Sequence, residues 1–176
     1  MYDRIFQFLN RFFKTSTIFK WMFNIAPMYR RSCGRLTYVS DDILRVDVKL
    51  PLTYRNRNYV GTMFGGSLFS ATDPIYMIQL LQILGKDYVV WDKRSTIHFI
   101  RPAHADAWAC FKFSQEEIDQ IKSDVSEKGE IDIVKKVQIT DARKKEMVFS
   151  EVEKTIYISS KSFFKEKRRK RQKLKS

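Results

Sequence analysis

The spacing of apolar residues divides the chain into helical and extended segments. Near the N-terminus, apolar side chains recur every three or four residues up to Pro27, which predicts one or two amphipathic helices. A second helical pattern runs from about Met63 to Leu84 and stops at Gly85. Because this second segment is apolar on most of its sides, we expect protein to surround it, as the central helix of the fold.

Strand-like patterns lie on both sides of the predicted central helix. Before it, RLTYVS and ILRVDVKL surround a turn at Asp41 and Asp42, which predicts a hairpin. After it, the period becomes two in four segments: YVVWDKRSTIHFIRPA, DAWACFKFS, EIDIVKKVQITD and KEMVFSEVEKTIYIS. A short acidic helix, which Ser114 or its neighbour can cap with Glu117 in the first turn, interrupts these strands. This order predicts an α+β fold, with a curved antiparallel sheet wrapped around one helix.

Length and charge indicate one domain with a distinct basic end. The chain has 176 residues, of which 44% are apolar, enough to bury one full core. The net charge is +13, but nine Lys or Arg and one Glu lie between Lys161 and Ser176, so the rest of the chain is only moderately basic. We therefore predict an N-terminal amphipathic helical segment (1–35), a folded domain (36–160) and a disordered basic tail (161–176).

Both ends of the chain allow a second interpretation. The N-terminal helices either pack over the domain or act as an interfacial anchor or a lid on an acyl-chain pocket; Arg4, Arg11 and Lys14 interrupt the apolar run, so it cannot span a membrane. The tail is either a solvated end or a contact with an anionic membrane surface. Nucleic acid is the least favoured partner, because no aromatic residue follows Phe164 to stack on bases.

The two cysteines, Cys33 and Cys110, form neither a disulfide framework nor a zinc spacing. They fit a reducing compartment, so we expect a cytoplasmic protein, with membrane association as the alternative. His98 and His104 have no acid between them and do not form a convincing metal or nucleophile arrangement. No metal is expected.

Two adjacent glycines, Gly65 and Gly66, stand at the start of the predicted central helix. Each costs about 1 kcal/mol relative to Ala inside a helix, which indicates that something approaches their bare backbone closely. The first N–H groups of a helix lack intrahelical partners, and the helix dipole favours negative charge at that end. Close helix packing is the alternative reason for these glycines.

Asp73 is the only acid between Asp47 and Asp87. It lies eight residues after Gly65, which corresponds to roughly 12 Å along a helix, too far for both residues to act on one carbon atom. The two can meet only if Gly65 of one subunit faces Asp73 of a second, antiparallel helix, so the spacing predicts a homodimer. Alternatively, Asp73 is an N-cap that precedes Pro74 at the first helical position.

The stretch FGGSLFSATDPIY resembles the HGGxLFxLADxAF signature of hotdog-fold acyl-CoA thioesterases, especially the phenylacetate-degradation type. Asn58 stands six residues before Phe64, as an asparagine precedes the histidine of that family, and IHFIRPAHADAWA resembles its strand motif. The resemblance covers roughly residues 36–159. The resemblance is greatest to an uncharacterised branch of the superfamily, in which GTMFGGSLF replaces the histidine-containing motif. It implies a hotdog fold with an active site at a dimer interface.

This resemblance implies hydrolysis of an acyl thioester of coenzyme A or an acyl carrier protein, with no cofactor besides the coenzyme A of the substrate. The Phe, Met and Leu residues around the helix favour a fatty or aromatic acyl group. It assigns to Gly65 an N–H that binds the oxyanion and to Asp73 the role of nucleophile or general base. Asn58 would position the water or hold its loop. Phe64, Gly66 and Arg101 would contact substrate, with Arg101 on the phosphates of coenzyme A.

Several expectations remain open at this stage. The assembly is a homodimer or a tetramer of two dimers, and the alternative function is a non-catalytic acyl-chain or lipid-binding hotdog protein at a membrane surface. Phe64 replaces the histidine that supports the neighbouring loop in the family, so support must come from elsewhere. Pro74 removes a hydrogen bond to the carbonyl of Ser70 and should bend the helix next to Asp73. Burial of Asp73 among apolar residues should raise its pKa.

Overall fold

The computed structural model describes residues 13–141 and 147–173. Their six strands form one antiparallel sheet in the order β1-β2-β4-β5-β6-β3. The strands are β1 (Arg35–Val39), β2 (Arg45–Leu50), β3 (Tyr88–Phe99), β4 (Ala107–Lys112), β5 (Glu130–Thr140) and β6 (Val148–Ser160). The helices are α1 (Thr15–Ile25), α2 (Pro27–Arg31), α3 (Gly65–Thr72), α4 (Ile75–Leu84), α5 (Gln115–Lys128) and α6 (Lys161–Lys173).

The sheet curves around the inner helical segment, which confirms the predicted α+β hotdog architecture. Ala71, Ile75 and Leu80 of α3 and α4 are fully buried in one core with Phe111 of β4 and Ile156 of β6. The predicted β1–β2 hairpin and the four later strands are present. Burial of apolar surface from both layers is the main term that holds them together.

The predicted continuous helix from Met63 to Leu84 is in fact two helices. Helix α3 ends at Thr72, α4 begins at Ile75, and Asp73 and Pro74 lie between them. Pro74 has no N–H to donate, and its ring disfavours a straight continuation, which explains the break at the position where the sequence predicts a bend. Gly85, with a φ of 80°, ends α4 as expected.

Helix α5 has the capping box that the sequence indicates. The Ser114 hydroxyl accepts a hydrogen bond from the Glu117 N–H, and the Glu117 carboxylate accepts one from the Ser114 N–H. Gly129, with a φ of 79°, ends the helix and leads directly into β5.

The N-terminal helices pack on the domain. Ile18, Phe19 and Phe23 of α1 are buried, and the Tyr29 hydroxyl of α2 donates a hydrogen bond of 3.0 Å to the carbonyl of Ala71 on the inner helix. The helical pattern over residues 1–12 lies outside the described residues. Within the described ranges, no helix has the length and apolar character needed to cross a bilayer.

The expected disordered tail is instead a helix from Lys161 to Lys173. Its first turn packs on the domain, because the Phe163 ring covers Gly129 so closely that a Cβ there would lie 2.3 Å from it. Lys167 also forms an ion pair of 2.5 Å with Glu130 at the start of β5. The charge run alone did not reveal these two anchoring contacts.

Candidate functional site

A cleft of about 380 Å³ opens at the start of α3. It brings together three residues that the sequence singled out, Asn58, Gly65 and Arg101, with Leu68 and Phe99 among the other lining residues. The chain enters α3 through Phe64 in an extended conformation. The Gly65 N–H belongs to the first turn, where no intrahelical acceptor exists.

The close approach predicted at Gly65 is present, and within one chain its partner is an aromatic ring. A Cβ on Gly65 would lie 2.8 Å from the Phe99 ring, so a larger residue would force that ring to move. Phe99 is 59% exposed and stands at the end of β3. The ring therefore forms one movable wall of the cleft beside the Gly65 backbone.

Gly66 has a different reason for its missing side chain. The ring of Phe64 folds back over it, and a Cβ on Gly66 would lie 2.3 Å from that ring. The nearest neighbour of a Cβ at Gly66 is therefore the Phe64 ring at the start of the same helix, and close helix packing at this glycine stays a prediction. Contact of Phe64 and Gly66 with substrate stays a prediction.

The side chain of Asn58 organises its own loop. Its Oδ1 accepts hydrogen bonds from the N–H groups of Val60 and Thr62, at 3.1 and 3.0 Å, and its Nδ2 donates to Thr62 Oγ1 at 2.8 Å. Of the two roles predicted for Asn58, the described contacts match the one that holds the loop. The loop lies against the cleft, so its shape bears on the site.

Asn56, which the sequence reading missed, supports the start of α3. Its carbonyl accepts a hydrogen bond of 2.7 Å from the Phe64 N–H. Its buried side chain donates to the carbonyl of Pro51 and accepts from the N–H of Thr53, at 2.9 and 2.8 Å. These bonds attach the loop to the helix start and supply support that the resemblance would assign to a histidine at Phe64.

Asp73 lies at the opposite end of α3 from Gly65, and it is not among the described residues that line the cleft. It has helical backbone angles and follows the last residue of α3, so the alternative reading as an N-cap of α4 is wrong. Its side chain is 49% exposed in the single chain, so burial of Asp73 does not occur within one subunit. The structure of one chain thus keeps Gly65 and Asp73 apart, as their spacing requires.

A buried lysine that the sequence analysis missed holds Asp73. The Lys154 side chain on β6 has no exposed surface, and its Nζ lies 3.1 Å from Asp73 Oδ1. The same Nζ donates to the backbone carbonyl of Asp73 and, at 2.5 Å, to Asp92 Oδ2 on β3. A buried ammonium needs such partners, because removing a charge from water is costly unless it is paired.

Asp92 completes this cluster, which we call the Lys154 cluster (Asp73, Asp92 and Lys154). Burial raises the pKa of Asp92, and the hydrogen bond and charge of Lys154 oppose that rise. The register between β3 and β6 shifts between Asp92 and Arg94. The Oδ1 atom of Asp92 is buried and has no hydrogen-bond partner among the described residues.

A period-two pattern in the sequence could have revealed Lys154. In the segment VFSEVEKTIYIS, the side chains of Val152, Ile156 and Ile158 share the inward face of β6, and Lys154 is in phase with them. A lysine at an inward position of a strand requires an acidic partner. Asp73, the one acid of the inner helical segment, was available as that partner.

Comparison with known families gives a match to a model described as a domain of unknown function, DUF4442, over residues 15–158. The chain belongs to the DUF4442 family. Comparison with curated proteins gives no match.

Several solved structures share the fold of this DUF4442 chain. A Pseudomonas aeruginosa protein described as a probable thioesterase matches with a TM-score of 0.70 and 22% identity, over 80% of this chain and 93% of that one. A Haemophilus influenzae thioesterase matches with a TM-score of 0.60 and 11% identity, over 83% and 91%. A Chlorobaculum tepidum protein of unknown function gives 0.64 and 18%, over 90% and 96%. At these identities the likeness establishes the hotdog fold.

Proposed function

We propose that this DUF4442 protein hydrolyses acyl thioesters at the interface of a homodimer. The observation that carries the proposal is the pairing of two features at opposite ends of α3. One end presents the Gly65 backbone to a cleft, and at the other end a buried ammonium holds the carboxylate of Asp73. The fold likeness to proteins named as thioesterases supports this choice of reaction.

The edge of the sheet supports the dimer. Strand β3 is 12 residues long, lies at the end of the sheet and pairs only with β6 within the described ranges. Trp91 and Phe99 on this strand are 58% and 59% exposed. A long edge strand with exposed aromatic residues is a template for pairing, and a second copy in a two-fold arrangement would cover it.

In this dimer, the N–H of Gly65 binds the oxygen of the thioester carbonyl as negative charge develops on it. A preorganised donor of this kind contributes roughly 3–4 kcal/mol to the lowering of the barrier. Asp73 of the partner subunit either attacks the carbonyl carbon or removes a proton from the attacking water. Both routes release a thiol and a carboxylic acid and consume one water.

Lys154 is a positioning residue in this scheme. Its ammonium binds one carboxylate oxygen and the main-chain carbonyl of Asp73, which fixes the direction of the carboxylate. Both roles of Asp73 need the ionised form. The Asp73 side chain is half exposed in the single chain, so solvent or a partner subunit can reach it.

The apolar walls of the cleft favour a fatty or aromatic acyl group, carried by coenzyme A or an acyl carrier protein. Leu68 and Phe99 line the cleft beside Gly65, and Arg101 also lines it, as a candidate contact for the substrate. A cytoplasmic location agrees with such substrates.

A thiol-release assay over a panel of acyl-CoA chain lengths tests the proposal. Asp73→Asn should abolish turnover while the circular dichroism spectrum stays that of a folded protein. The melting temperature should fall, because buried Lys154 loses one of its two carboxylate partners. Asp119→Asn, on the exposed face of α5, is the matched control and should keep full turnover. Unchanged turnover in Asp73→Asn would exclude the proposed mechanism.

The second candidate function is acyl-chain or lipid binding without catalysis, at a membrane surface. The carboxamide of Asn58 makes its hydrogen bonds within its own loop. These contacts do not support a role in positioning the attacking water, and this observation favours the second function. Binding of acyl-CoA or fatty acid without turnover of any substrate in the panel would select this function.

A further inference from the structure

A second cleft, of about 450 Å³, lies on the N-terminal side of the domain and is lined by Arg30, Arg35 and Arg55. A shallower cleft adjoins it and adds Arg31, and both clefts share Arg30 and Arg55. Four arginines from α2, β1 and the loop after β2 therefore surround one concave surface, which we call the arginine cleft.

In the part of the chain that the structure describes, these four arginines lack acidic partners. Among residues 13–141 and 147–173, none of them forms an ion pair, and Arg55 donates its Nε–H to the hydroxyl of Tyr54 at 3.0 Å. By contrast, Arg45 on β2 forms a two-point contact with Asp47. Clustered guanidinium groups without counter-charges create a positive potential, and their fork geometry suits phosphate oxygens.

Both walls of the arginine cleft are fixed by buried contacts. On one side, Gly34 packs so closely on the inner helix that a Cβ there would lie 2.9 Å from Cβ of Ala71, and the Tyr29 hydroxyl binds the carbonyl of that same alanine. On the other side, the buried Asn56 side chain ties down the loop from Pro51 to Thr53. The cleft is therefore preformed, which reduces the entropic cost of binding a ligand.

The arginine cleft is close to the start of α3. The hydrogen bond from the Phe64 N–H to the Asn56 carbonyl joins the residues next to Gly65 and Arg55. With standard backbone dimensions, the Cα atoms of Gly65 and Arg55 are at most about 14 Å apart. This separation is compatible with one elongated ligand that contacts the Gly65 amide at one end and the arginines at the other.

We infer that the arginine cleft binds the phosphate groups at the nucleotide end of coenzyme A. Tyr54 lines the cleft, is 82% exposed and carries the Arg55 guanidinium 5.5 Å from its ring centre, so it offers a flat surface for an adenine base. The volume falls within the usual range for small-molecule sites. The choice of coenzyme A rests on the proposed thioesterase function, and it favours coenzyme A over a carrier protein as the thiol.

A binding measurement without turnover tests this site directly. Isothermal titration of the full chain with coenzyme A, with dephospho-coenzyme A and with pantetheine should give falling affinity in that order. Arg35→Gln and Arg55→Gln should each weaken coenzyme A about tenfold and leave pantetheine unchanged, since each removes a charge-assisted contact to phosphate. Arg168→Gln, on the exposed face of α6, is the charge-matched control. Equal affinity of the wild type for coenzyme A and pantetheine would overturn the inference.

Steady-state kinetics distinguish a failure of this inference from a failure of the proposed reaction. In Arg35→Gln and Arg55→Gln, KM for an acyl-CoA should rise about tenfold, whereas kcat and all parameters for the matching acyl-pantetheine should stay unchanged. If no thioester is hydrolysed, the proposed reaction fails, and the titration still decides the site.

The same variants test a lipid phosphate as the ligand. If they lose binding to phosphatidylglycerol vesicles but keep full affinity for coenzyme A, the arginine cleft binds lipid headgroups and the inference is wrong.

Discussion

Lys154 Nζ lies 3.1 Å from Asp73 Oδ1, although the two residues are 81 positions apart in sequence and Lys154 has no exposed side-chain surface. Strand β6 thus places a buried positive charge under the break in the inner helix. The break itself follows from Pro74, which ends regular helical hydrogen bonding beside Asp73. The acid singled out by the sequence is therefore held by a residue that lies far from the signature.

Lys154→Met should destabilise the protein by about 3 kcal/mol, since removing one member of a buried ion cluster leaves uncompensated carboxylates. Urea unfolding, followed by circular dichroism, measures the loss. Lys93→Met, which breaks the exposed pair with Asp132, is the control and should cost less than about 1 kcal/mol. Equal losses of stability in the two variants would show that the buried Lys154 cluster contributes no more to stability than an exposed ion pair.

The stability of the protein should depend on pH through Asp92. Burial raises the pKa of Asp92 above its ordinary value of 3.8, although Lys154 opposes the rise. Just above pH 3.8 the folded state therefore retains a proton that the unfolded chain has lost, so the free energy of unfolding falls as pH rises through this window.

Asp92→Asn should remove that part of the pH dependence, because an amide does not titrate. The measurement is urea unfolding at a series of pH values on both sides of 3.8. The control, Asp119→Asn, changes an exposed acid on α5 and should keep the wild-type profile. A wild-type profile in Asp92→Asn as well would contradict the assignment.

The sequence was sufficient for the fold and insufficient for the contacts of the site. Period-two segments and Ser114 carry local signals and predicted their elements correctly, and the glycine pair marked the start of the inner helical segment, which is two helices and not one. Lys154 contacts residues that are distant in sequence, and Asn56 binds main-chain groups of its own loop. Local sequence patterns therefore did not identify either residue. The tail shows the same limit: its charge predicts disorder, whereas the packing of Phe163 on Gly129 fixes its first turn.

Gly65→Ala should lower turnover at least about tenfold with little change in stability. The new methyl group would lie 2.8 Å from the Phe99 ring and cover the amide, but that ring is exposed and can shift, and alanine favours a helix more than glycine does. Comparison with the double variant Gly65→Ala with Phe99→Ala separates the causes. Turnover of the double variant well below that of Phe99→Ala alone would show that access to the Gly65 amide is what matters. Full recovery of turnover would reduce Gly65 to a packing residue.

Asn56→Ala should cost about 2–3 kcal/mol, since it removes buried hydrogen bonds to both Pro51 and Thr53 and leaves their main-chain groups unpaired. Asn58→Ala, in the more exposed part of the same loop, should cost about 1 kcal/mol. Thermal unfolding of both variants measures the difference. A larger loss of stability in Asn58→Ala than in Asn56→Ala would show that Asn58, and not Asn56, is the main support for the start of α3.

Mixed dimers test whether Gly65 and Asp73 from different subunits form one site. Each subunit of an Asp73→Asn protein retains Gly65, and each subunit of a Gly65→Ala protein retains Asp73. In a mixed dimer, one of the two interfacial sites therefore has both intact groups and the other has neither. After coexpression in equal amounts, about half of the dimers are mixed, so turnover should recover to about a quarter of the wild type. If both groups came from the same subunit, every site would lack one of them, and the mixture would stay as inactive as the separate variants.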